Sequence, residues 1–142
     1  MSEKSFRRAL SGGLIEQAIR ESGTISKVAM LGNSMPRRCG IATFTSDLHS
    51  AIATERPEID TFVLAMNDPG KHYAYPEEVR FEIAEGELGS YTRAADFLNV
   101  NAVDVLSVQH EYGIFGGRAG SHVLTLLREL RMPIVTTLHT IL

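Results

Sequence analysis

With one cysteine, Cys39, in 142 residues, the chain can form no internal disulfide and has no cysteine spacing of the kind that holds zinc, so a reducing, cytoplasmic setting is expected. An excess of positive charge is missing as well. The 14 basic residues face 17 acidic ones, for a net charge of -3, and without a global basic field nucleic acid is not an expected partner. No window approaches the ~18 apolar residues of a membrane span, and the first thirty residues hold no continuous apolar core of a signal peptide, so no transmembrane segment is expected. Repeats and low-complexity tracts are absent. What is present is a chain with 44% hydrophobic residues, enough for one domain with one core that buries roughly two-thirds of its unfolded surface.

The N-terminus stands apart. Phe6, Leu10, Leu14 and Ala18 recur at a four-residue step with Arg7, Arg8 and Arg20 between them, but Gly12 and Gly13 interrupt the pattern. Residues 1–26 therefore read as a partly helical extension, solvated or packed rather than membrane-bound. From residue 27 to 142 two kinds of segment alternate. Val28 to Leu31, Thr61 to Met66, Val79 to Ile83, Val103 to Val108 and Ile134 to Leu138 are short runs rich in valine, isoleucine and leucine, which read as strands. Between them Phe44, Leu48, Ala51 and Ile52, then Tyr91, Ala94, Ala95 and Leu98, then Val123, Leu126, Leu127 and Leu130 recur at three- and four-residue steps, the mark of helices with one buried face. Such an alternation predicts an α/β fold, a doubly wound, Rossmann-like parallel sheet with flanking helices. Only the link from the second to the third strand, Asn67 to Glu78, reads as a loop.

In sheets of this class ligands bind beyond the carboxyl ends of the strands, near the point where strand order reverses. Three stretches fall there. After the first strand, Gly32 and Gly40 allow a tight turn, the helix beginning near Thr43 aims unpaired N–H groups back at it, and Arg37 and Arg38 can add charged hydrogen bonds to a phosphate or carboxylate. The same turn also reads as a loop with two solvated arginines. After the fourth strand come His110 and Glu111, then Gly113, Gly116, Gly117 and Gly120; a histidine at a strand end can take a proton from a hydroxyl or simply be satisfied by backbone groups. After the fifth strand comes His139.

Several signatures are again missing. The turn fits neither G-x-G-x-x-G nor the Walker G-x-x-x-x-G-K-[ST] spacing, there is no G-x-S-x-G, and Cys39 has no evident base partner. His110, His122 and His139 lack the close spacing of a metal site, so no metal is expected.

The segments PRRCGIATFTSDL, LAMNDPG, YPEEVRFEI, RAADFLN, DVLSVQHEYGIFGG and TTLHT, in that order, resemble the N-terminal domain of bacterial family 4 glycosyltransferases over Val28 to Leu142. The resemblance implies a two-Rossmann-domain enzyme of hexosyltransferase type that moves a sugar from a nucleotide-sugar donor to an acceptor with retention, usually without a metal. It implies Gly40, with Arg37 and Arg38, at the donor diphosphate, His110 as the catalytic residue near the transferred sugar, and Glu111, Gly116, Gly117 and His139 along the cleft wall. It also implies strand order 3-2-1-4-5, with the fifth strand an exposed edge prone to self-association. The family's second domain, with its E-x7-E type motif, is not in this sequence, so the 142 residues are expected to be an incomplete first domain, inactive alone. The alternative is a noncatalytic α/β module that binds a phosphorylated ligand or a protein partner.

Overall fold

The computed structural model describes residues 23–141; the expected extension over 1–26 lies outside them except for its last four residues. Five strands, β1 (Lys27–Gly32), β2 (Asp60–Asn67), β3 (Val79–Ala84), β4 (Val105–His110) and β5 (Ile134–Leu138), form one sheet in the order β3-β2-β1-β4-β5. Every neighbouring pair is parallel. The connections carry α1 (Gly40–Glu55), α2 (Leu88–Val100) and α3 (Val123–Glu129). This is the Rossmann-like α/β architecture, and its order reverses between β1 and β4. No helix among the described residues is long and apolar enough to cross a membrane.

The pleat sorts the side chains. Ala29 and Leu31 of β1, paired with Phe62 and Leu64 of β2 and with Leu106 and Val108 of β4, share one face, where they join Tyr91, Ala94, Ala95 and Leu98 of α2 and Val123 and Leu126 of α3 in one core. These helices bury the faces their spacing predicts, and each fully buried large apolar side chain contributes about 1.5–3 kcal/mol. The opposite face, with Met30, Gly32, Val63, Ser107 and Gln109, receives α1, since Thr45 of that helix stands 3.2 Å from where a Gly32 Cβ would lie. Right-handed crossovers that first run one way from β1 and then return past it require this split of helices between faces.

Two expectations need correction. The stripe Phe44, Leu48, Ala51 and Ile52 is not the buried face of α1: Phe44 is 43% exposed, and the buried positions are Ile41, Ala42 and Thr45. Thr45 donates its hydroxyl to the Ile41 carbonyl at 2.8 Å, which satisfies the polar group and lets a threonine lie against the sheet where an apolar count would not put it. The fourth strand begins at Val105, not Val103. Asp104 is turned aside there, its Oδ2 accepting from the amides of Ser26 and Lys27, both at 2.9 Å, and from the Ser26 hydroxyl at 3.0 Å.

Candidate functional site

A cleft of about 440 Å³ opens beyond the carboxyl ends of β1 and β4, at the reversal of strand order, with His139 after β5 on its wall. The α1 helix starts inside it. Cys39 is the N-cap in extended conformation, and its Sγ accepts from the Ala42 amide and from Asn33 Nδ2, both at 3.4 Å. A thiol in this place is a weaker acceptor than the usual hydroxyl or carboxylate. Two further amides at the helix head, those of Gly40 and Ile41, have no partner among the described residues. The first turn carries no acidic side chain to offset the helix dipole, so the head of a 16-residue helix keeps its attraction for an anion.

Gly40 leaves the space before that head open: a Cβ added there would meet nothing within 4 Å. The glycine is thus not required by the protein's own packing. The two arginines divide. Arg37 lines the cleft but gives its guanidinium to Asp68 at 2.7 Å and to Asn33 Oδ1 at 3.0 Å. Asp68 in turn accepts from the Tyr73 hydroxyl at 2.8 Å, with Lys71 3.7 Å away; the bond to Asp68 holds the Tyr73 phenol above its ordinary pKa. Next to it, Tyr75 is pushed up to about 12, chiefly by burial and then by the charge of Glu82. These contacts fasten the loop after β2 to the turn after β1. Arg38 is exposed, its guanidinium has no partner among the described residues, and it is not part of the cleft wall.

Of the residues expected around β4, Glu111 lines the cleft and His110 does not. The His110 ring stacks on Phe115 at 5.8 Å between centroids, meets Tyr112 edge-on at 5.1 Å, and keeps a buried Nδ1 without a hydrogen-bond partner among the described residues. Its carbonyl accepts the His139 amide at 3.0 Å, which joins the ends of β4 and β5. His139 does line the cleft. Its Nε2 lies 3.0 Å from Oε1 of the fully buried Gln109, and Phe44 meets its ring edge-on at 4.9 Å.

Gly116 and Gly117, expected on the cleft wall, stand outside it and serve the fold. A Cβ on Gly116 would fall 2.0 Å from the Glu85 carbonyl oxygen, and the Gly116 amide donates to the Tyr91 hydroxyl at 2.9 Å, which donates onward to Glu85 at 2.8 Å. Gly117 has φ +82, a left-handed conformation that suits glycine. Among the described residues no three His, Cys, Asp or Glu side chains are grouped to hold a metal ion.

Three contributors escaped the reading of the sequence: Asn33, Asp68 and Gln109. Gln109 left a signal, since Val105, Ser107 and Gln109 alternate along β4 and a polar pair on a central strand demands partners. Asp68 left a weaker one, being hidden in a segment that reads as a plain Asp-Pro-Gly turn. No protein-family model, curated protein or solved structure matches the chain, so the cleft is interpreted through its own chemistry.

Proposed function

We propose that this domain forms one wall of the site of a retaining, hexosyltransferase-type glycosyltransferase, with a nucleotide-sugar donor held across the cleft between the α1 head and His139. The observation that carries the reading is the head of α1: two unpartnered amides, no carboxylate in the first turn and open space before Gly40, all at the reversal of strand order. A donor diphosphate is the group such a head suits. Arg38, exposed and without a partner among the described residues, adds long-range attraction for an anion, and Arg37 shapes the turn through Asp68.

Opposite the head, Glu111 and His139 offer hydrogen bonds to sugar hydroxyls. Sugar transfer breaks the bond from the anomeric carbon to the diphosphate and makes one to the acceptor oxygen, whose proton must leave. The family resemblance assigns His110 to that centre; here its ring stacks on Phe115 outside the cleft lining, one residue from Glu111 on the wall. The resemblance also gives the nucleoside to a second Rossmann-like domain, and the single cysteine supports a reducing, cytoplasmic setting.

Titration of the ¹⁵N-labelled chain with UDP-, GDP- and ADP-hexoses, the matching nucleoside diphosphates and inorganic phosphate tests the proposal. The Gly40 and Ile41 amides are expected to shift with at least one nucleotide sugar, and Glu111 and His139 to shift only when the sugar is attached. Shifts with phosphate alone favour the noncatalytic module instead, and unmoved Gly40 and Ile41 amides throughout refute phosphate binding at the helix head.

A further inference from the structure

We infer that Gln109 is a positioning residue: its buried amide fixes the His139 ring in the tautomer protonated at Nε2, leaving Nδ1 as an acceptor for a hydroxyl of a ligand in the cleft. Gln109 is 0% exposed, so both ends of its amide need partners. The nitrogen donates to the Ser107 hydroxyl at 3.0 Å. In the same orientation the oxygen faces His139 Nε2, also at 3.0 Å. A carbonyl oxygen only accepts, so in this amide orientation Nε2 carries the proton, and a neutral imidazole has just one.

The remaining ring nitrogen is therefore a lone pair. It is neither buried without a partner nor hydrogen-bonded among the described residues, and it belongs to a side chain that lines the cleft. Other contacts hold the ring still: the Phe44 edge on one side and the His139 amide bonded to the His110 carbonyl. Gln109 itself is enclosed, being 0% exposed with its aliphatic stem packed beside Gly32.

The consequence for ligand choice is a division of the cleft. A lone pair repels a phosphate oxygen and accepts from a hydroxyl, whereas the N–H groups of the α1 head donate and favour an anion. Arg37, Cys39 and Glu111 are the other ionisable groups on the wall, and Arg37 is already paired with Asp68. The hydroxyl assignment rests on the reading of the cleft as a sugar site; the tautomer does not, and it is tested without ligand.

Long-range ¹H–¹⁵N spectra of the free 142-residue chain at a pH where histidines are neutral should show His139 as a single Nε2–H species with a slowly exchanging ring proton, while the exposed His72 averages. Gln109→Leu should abolish the slow ring proton and let the ring average, and Gln109→Glu, whose ionised carboxylate only accepts, should restore the Nε2–H form. Ser107→Ala provides a second route should Gln109→Leu fail to fold: it frees the amide to turn and is likewise expected to mix the tautomers. In each folded variant the His139 backbone amide, bonded to His110, should stay protected, which separates ring positioning from loss of the strand pair. Wild-type His139 protonated at Nδ1, or a ring that stays locked in both Gln109→Leu and Ser107→Ala, overturns the inference.

Discussion

The Arg37 guanidinium and the Asp68 carboxylate meet at 2.7 Å with side chains only 18% and 20% exposed, and this pair decides what each arginine of the turn can do. Any anion in the cleft must compete with Asp68 for Arg37. Arg37→Ala should therefore lower stability by about 1–3 kcal/mol, since a largely buried carboxylate loses its nearest cation and keeps only the Tyr73 hydroxyl and the more distant Lys71. Arg38→Ala should stay within about 0.5 kcal/mol of wild type while weakening anion binding and flattening its salt dependence. Asp68→Asn should strengthen anion binding by about 1 kcal/mol, roughly fivefold. Thermal melts with calorimetry at two salt concentrations check all three, and equal effects of Arg37→Ala and Arg38→Ala on stability would contradict the division.

The two conspicuous glycine positions should respond oppositely to alanine. At Gly40 nothing lies within 4 Å of a new Cβ, whereas at Gly116 the Glu85 oxygen lies at 2.0 Å. Gly40→Ala should keep or slightly raise the melting temperature, because alanine favours the helix, and should still reduce binding of a nucleotide sugar by filling the space before the helix head. Gly116→Ala should cost about 1–3 kcal/mol through overpacking. Melting curves of the two variants, with binding measured on the Gly40 variant, separate ligand space from packing space.

Much of this architecture was legible because it follows from patterns that act locally. The apolar runs around Leu31, Leu64 and Leu106 name buried strands, and the spacing of Tyr91, Ala94, Ala95 and Leu98 gives the α2 face directly. The face of α1 was misread for a physical reason: Thr45 is buried by bonding its own helix carbonyl, and Phe44 is left out to meet His139. Periodicity counts apolar residues and cannot see either event. Of the positions expected at the site, Arg37, Gly40, Glu111 and His139 line the cleft, all lying just beyond strand ends. Arg37 looked free because its partner, Asp68, is 31 residues on in sequence and reaches it only through the β1–β2 pairing. Gly116 and Gly117 looked functional because a glycine needed for a close backbone approach to Glu85 is written the same way as one needed for a ligand.

Asp104 predicts an acid limb of stability. The hydrogen bond from the Ser26 amide is the largest cause that lowers its pKa; burial, which raises it, comes next, and the Lys27 amide, the Ser26 hydroxyl and the Lys27 charge lower it further. A folded-state value below the unfolded one means that the stabilisation is complete above the ordinary aspartate pKa of about 3.9 and is lost as pH falls through the lowered folded value. Asp104→Asn should consequently reduce stability at neutral pH and make the decline below about pH 4 shallower. Denaturant titrations from neutral to acidic pH measure this, and parallel curves for wild type and variant would remove Asp104 from the account.

The outer edge of β5 makes a prediction for the solution behaviour of the 142-residue chain. In the described sheet β5 pairs with β4 alone, so its other side presents unpaired backbone groups, and Ile134, Val135 and Leu138 stand 37%, 57% and 57% exposed. The pleat sends Ile134 and Leu138 to one face and Val135 to the other, so both faces of the edge carry apolar surface. An edge of this kind without an inward charge, a proline or a bulge recruits another strand. Sedimentation velocity should show reversible association that rises with concentration. Val135→Lys should suppress it, because a lysine that continues to point outward costs the monomer little but must be desolvated when a second edge docks. Were the wild-type chain strictly monomeric at high concentration, the edge would have to be capped by something other than a second copy, and Val135→Lys would then change neither sedimentation nor solubility.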